Sequence, residues 1–193
     1  LGNESGPGSN LAAMAAWTAC ADAASAEPRA QIRGDMSGDL RRMLERAVGT
    51  VDDAAESRFE ARRRARGAMD AALALLRSEG YYQPLLEDQV EGEQTPVAIV
   101  DVTPGQRFLL TDPAVRWTDP APDADSAHDA IAAIGLKAGD PGRAVDIIAG
   151  EGRIVASLTR DGYADAKAEP RRVVVDHAAF TVAPEYHIAS GLL

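Results

Sequence analysis

A six-residue pattern that occurs twice constrains this chain more than any other feature. Leu76-Arg77-Ser78-Glu79-Gly80-Tyr81 is matched by Leu158-Thr159-Arg160-Asp161-Gly162-Tyr163. Each copy ends a helical stretch with an acidic residue, a Gly and a Tyr, and two strand-like runs follow. The spacing implies an internal repeat of about 80 residues, near the size of one small domain. Gly after a helix suits a left-handed cap, because a Cβ resists that conformation. Taken alone, Gly-Tyr is equally an ordinary cap followed by a buried aromatic. The matched order of elements around it argues for duplication.

In the first copy, residues 30–33 read as a short strand, and Asp35-Met36-Ser37-Gly38 offers a helix start signal. Leu40, Met43, Leu44 and Ala47 then recur at helical spacing. A second helix is expected over 57–79, with Phe59, Ala65, Met69, Ala72, Leu73, Leu75 and Leu76 as its apolar positions. Arg62, Arg63, Arg64 and Arg66 give its first half a solvated basic face. Strands follow over 85–91 and 96–102, the second rich in β-branched residues. Pro104-Gly105 is a turn. In the second copy, a strand region surrounds Asp112-Pro113 and a Pro- and Asp-rich loop covers 119–125. Helices are expected over 127–136 and 143–160, the latter weakened by Gly150 and Gly152. Strands over 171–176 and 180–188 close the chain.

Formal net charge is −10. Such a chain repels phosphate backbones, so nucleic acid is not an expected partner. The single cysteine, Cys20, excludes an internal disulfide and a thiolate metal cluster. No run of apolar residues is long enough for a membrane-spanning helix. Residues 1–28 read as a disordered leader or signal remnant, with Ala24-Ser25-Ala26 resembling a cleavage site.

Catalytic chemistry finds little footing. His128, His177 and His187 lack metal-ligand spacing, although His177 and His187 fall on neighbouring strand candidates. Ser157 lies mid-helix outside any nucleophile motif. Gly2 to Gly8 and Gly150-Glu151-Gly152 lack the strand, Lys and spacing of a phosphate loop. Asp119, Asp123, Asp125 and Asp129 cluster without a calcium-loop pattern. No cofactor and no catalytic or metal site is expected, and the chain is not read as an enzyme.

The segments SEGYYQP, VAIVDVTPGQRF, GLKAGDP and TRDGYADAKAEPRRVVVD together resemble the POTRA domain of outer-membrane protein assembly factors, most closely the translocation and assembly module branch. The resemblance covers residues 29–193 and rests on structural motifs. It implies an α+β fold of two tandem βααββ modules, residues 29–105 and 106–193, each a three-stranded mixed sheet covered by two helices. It also implies a periplasmic location, with attachment to the outer membrane through a C-terminal β-barrel that this stretch does not include. Implied partners are unfolded outer-membrane protein clients, accessory assembly subunits and that barrel. Gly80, Tyr81, Gly162, Tyr163 and Gly105 are the expected structural caps.

The family's sheet order places the first strand of each closing hairpin at an edge, near 85–91 and 165–172. The candidate interface is therefore Leu86, Asp88, Val90, Ala166, Ala168 and Arg171, where an extended client would add by main-chain pairing. Glu87, Asp88 and Glu91 charge the first edge, while Lys167, Glu169 and Pro170 interrupt the second. The same residues equally suit a plain monomer guarding itself against aggregation. Two other function classes remain open: a small α/β enzyme domain, and a ferredoxin-like regulatory pair that binds a small ligand.

Overall fold

The computed structural model describes residues 27–118 and 120–193. Cys20 and the Ala24-Ser25-Ala26 segment lie outside them. The first half runs β1 (Glu27–Pro28), β2 (Gln31–Arg33), α1 (Gly38–Val48), β3 (Thr50–Val51), α2 (Arg58–Ser78), β4 (Leu85–Glu91) and β5 (Val97–Thr103). The second runs β6 (Leu109–Leu110), β7 (Ala114–Thr118), α3 (Ala124–Ala132), α4 (Ala144–Arg160), β8 (Lys167–Asp176) and β9 (Thr181–Ala189). The fold is α+β, and each half holds its own mixed sheet beneath two helices.

In the first half, β5 is central. It pairs parallel with β2 and antiparallel with β4. Ser37 caps α1 by accepting the Leu40 N–H, as its side-chain oxygen is suited to do. The face of α2 that meets the sheet is a stripe of Ala61, Ala65, Ala68, Ala72 and Leu76. Small residues at helical spacing let that helix approach the strands closely, with Leu40, Leu44, Val100 and Val102 filling the space between. This stripe corrects the placement of Phe59, which the sequence pattern assigns to the apolar face. Phe59 is 79% exposed, because it projects from the side of α2 opposite the Ala stripe. Glu27 and Pro28, read as leader, pair instead with β3 as a small additional ribbon.

The second half departs from a three-stranded sheet. Its opening strand is split into β6 and β7, which both pair parallel with β9, while β8 pairs antiparallel on the other side. Leu110 lies opposite Val182 and Ala114 opposite Glu185, so one extra residue is accommodated around Asp112-Pro113. Pro113 has no N–H to donate, which suits a bulge. The inward row of β9 is Val182, Pro184, Tyr186 and Ile188, with Ile147, Ile154 and Leu158 of α4 against it. The first helix of this half begins at Ala124, ahead of the expected start at 127, because Asp123 caps it by accepting the N–H groups of Asp125 and Ser126.

Candidate strand edges and the joint between halves

The β4 edge is built by the α2–β4 packing. Its residues alternate, with Leu86, Asp88 and Val90 half-buried and Leu85, Glu87, Gln89 and Glu91 exposed. Leu86 packs on the first core, and the Asp88 carboxylate lies 3.8 Å from the Arg66 guanidinium of α2. The side chains of Leu86, Asp88 and Val90 therefore lie on the helix side of the sheet, and a pairing strand would meet their backbone. Among the described residues, β4 pairs only with β5, and its other side is open. Glu91 accepts two hydrogen bonds from Arg33, at 2.7 and 2.9 Å. That guanidinium holds the Glu91 carboxyl below its usual range.

The second edge lies differently from the expected 165–172. β8 starts at Lys167, so Ala166 precedes it and bonds back to the Tyr163 carbonyl. Ala168 pairs with Ile188, and then a register shift falls between Glu169 and Arg172. Pro170 and Arg171 occupy that bulge, and Arg171 reaches Glu151 of α4 at 2.9 Å. The strand continues to Asp176, and its exposed apolar pair, Val173 and Val174, lies beyond the expected span.

The cap residues lead to a feature the sequence pattern left unread. Gly80 and Gly162 have φ of 92° and 106°, and Gly105 has φ of 73°. In the second half, Tyr163 is buried. Its hydroxyl donates to the Asp123 carboxylate at 2.8 Å and accepts the Asp123 N–H at 2.9 Å. Hydrogen bonds from the Ser126 N–H, Tyr163 and the Ser126 hydroxyl hold the Asp123 carboxyl down at about 2. In the first half, Tyr81 lies under the Arg107 guanidinium, 5.5 Å from the ring centre. The next residue, Tyr82, packs against the second half's core and stacks edge-on with the buried Phe108.

These contacts form a polar and aromatic joint between the halves. The Glu79 carboxylate accepts from Arg107 and Arg143, both at 3.0 Å, and its carbonyl accepts from Arg107 at 2.8 Å. The Gly80 carbonyl accepts the Phe108 N–H, and the Phe108 carbonyl accepts the Gly142 N–H. The Gly142 carbonyl accepts the Tyr82 hydroxyl at 2.9 Å. Gln83 and His177 meet at 2.8 Å. His177 is thus a joint residue, whereas His187 bonds Glu185 at the far end of the β8–β9 hairpin. Among the described residues, no three His, Cys, Asp or Glu side chains gather as a metal site.

Residues 29–104 match the family model described as POTRA domain TamA domain 1. Among solved structures, the chain is similar to the POTRA3-5 segment of BamA from Haemophilus influenzae, at 20% identity over 87% of this chain and 67% of that one, with a TM-score of 0.47. It is also similar to POTRA1-2 of the periplasmic domain of Omp85 from Anabaena, at 12% identity over 85% of this chain and 95% of that one, with a TM-score of 0.43. No curated protein matches. Residues 29–104 thus resemble a POTRA domain of the TamA domain 1 type.

Proposed function

We propose that this chain is a non-enzymatic periplasmic scaffold in outer-membrane protein assembly, and that it receives an extended client strand at the open side of β4. POTRA domains of the Omp85 family act in that assembly. The observation that carries the reading is the outer side of β4 beside α2, which pairs with no other strand among the described residues. Free N–H and C=O groups along an edge bind an incoming strand through its main chain, which makes the pairing largely blind to client sequence. β8 is a second edge, broken at Pro170 and apolar at Val173 and Val174. The Glu79 joint supports the scaffold role, since ion pairs, backbone bonds and an aromatic contact all cross it. Clients would be unfolded outer-membrane proteins, with accessory subunits and the protein's own barrel as neighbours. No described helix is long and apolar enough to cross a membrane.

Proline at Gln89 or Ala168 tests the reading. Each removes one main-chain N–H from an edge strand, and edge strands tolerate Pro better than central ones. With the melting temperature retained, Gln89→Pro should weaken binding of an unfolded β-barrel peptide by roughly tenfold, a loss of about 1.4 kcal/mol. Unchanged affinity in both variants would refute strand capture and leave a spacer role as the better account.

A further inference from the structure

The outer face of α2 carries an unusual combination. Phe59, Arg62, Arg63 and Arg66 fall at i, i+3, i+4 and i+7 and are all exposed. A helix brings such positions onto one face over roughly 10 Å. They line a hollow of about 180 Å³. On its other side Arg63 helps line a second hollow of about 350 Å³, with Arg29 and Arg64. Arg64 is committed within the fold, to Glu60 and the Asp53 carbonyl. Among the described residues, Arg62 and Arg63 make no ion pair.

Among the described residues, the one ion pair of this face is that of Arg66 with Asp88, at 3.8 Å. Phe59 is 79% exposed and joins neither core. Arg58, Arg62 and Arg66 repeat at i, i+4, where like charges weaken a helix. Arg58 also opens the helix, at the end where the macrodipole disfavours a cation. The sequence thus tolerates a local cost to keep three guanidiniums around one aromatic ring, of which Arg66 alone lies near a carboxylate, that of Asp88 at 3.8 Å, in a chain whose net charge is −10.

We infer that this face of α2 docks an acidic protein segment that carries one apolar anchor residue. Guanidiniums bind carboxylates in a bidentate fork, and the Phe59 ring with the Arg stems offers a seat for the anchor. Arg and aromatic residues are the common energetic centres of protein interfaces.

Fluorescence anisotropy with the full chain tests the assignment. The probe is a fluorescein-labelled peptide in which Glu and Asp flank a central Leu. Reversing both charges in R62E/R63E should weaken binding by about tenfold or more, and Phe59→Ala by several-fold. Arg77→Glu, at the far end of the same helix, should leave affinity unchanged. So should Gln89→Pro, which separates this face from the β4 edge. Melting curves of the variants should overlay the parent's, since the substituted side chains are exposed. Equal affinity for a peptide with Lys in place of each carboxylate would overturn the assignment, as would parental affinity in R62E/R63E. Binding to phosphatidylglycerol vesicles with none to the peptide would overturn it in favour of a membrane contact.

Discussion

A Cβ on residue 80 would sit 3.3 Å from the Gly142 carbonyl oxygen, with the Gly142 carbonyl carbon and nitrogen close behind. Gly142 has little room to retreat. Its own Cβ position is filled by Val182 at 2.8 Å, and its amide and carbonyl are bonded to Phe108 and Tyr82. A Cβ on residue 162 would meet only the end of the Leu193 side chain, which can swing away. Both glycines have positive φ, so Ala at either costs about 1 kcal/mol for the backbone alone. Gly80→Ala should cost about 1 kcal/mol more than Gly162→Ala, because it also wedges the joint. Urea unfolding of the two variants measures the difference, and equal losses would contradict it. The cap role of both residues is legible from a Gly after a helix. The second role of Gly80 is not, since its partner lies 62 residues away, at Gly142. Gly150 is a similar case. Within α4 it reads as a weak point, but a Cβ there would lie 2.7 Å from the Tyr186 hydroxyl. That hydroxyl donates to the Ile147 carbonyl of the same helix.

At the level of elements, α3 shows how a distant residue decides a boundary. Several Asp residues lie in the loop before it, and local pattern does not choose among them. Tyr163 favours Asp123 by bonding both its N–H and its carboxylate. The sign of the resulting pH dependence is fixed by the depressed Asp123 value of about 2. A carboxyl lowered by folding stabilises the native state above its unfolded pKa of about 3.9, and this contribution fades as pH falls through the folded value. An NMR titration should place the Asp123 carboxyl near 2 in the parent and higher in Tyr163→Phe, which removes one donor. An unchanged Asp123 titration in Tyr163→Phe would break the link between the repeated Tyr and the helix cap. Strands were more readable than their interruptions. The β-branched run of β5 and the alternation in β4 show directly, whereas the bulges at Asp112-Pro113 and Pro170-Arg171 depend on register against β9. Phe59 fails for the opposite reason. A large aromatic on a helix suggests core, but Ala supplies the buried stripe of α2.

Across the whole molecule, the repeat gives two similar halves, while the contacts that join them come from where the copies differ. The second copy follows Gly162-Tyr163 with Ala164, whereas the first places Tyr82 after Gly80-Tyr81 and sends it into the core of the other half. Glu79 is the electrostatic centre of the joint. Its side chain is 14% exposed and lies between Arg107 and Arg143, which are 31% and 38% exposed. Removing the carboxylate leaves two half-buried cations facing each other with no anion between them. Glu79→Ala should therefore cost about 1–2 kcal/mol, less than a fully buried pair because water reaches both arginines. The larger expected effect is on geometry. Spin labels on the outer faces of α1 and α4, in a Cys20→Ser background, should give one narrow distance distribution in the parent. Glu79→Ala should broaden it, and Glu79→Gln should broaden it less, since the amide oxygen still accepts from one arginine. A distribution of parental width in Glu79→Ala would show that the Phe108, Gly80 and Gly142 bonds and the Tyr82 contacts hold the halves without the ion pairs.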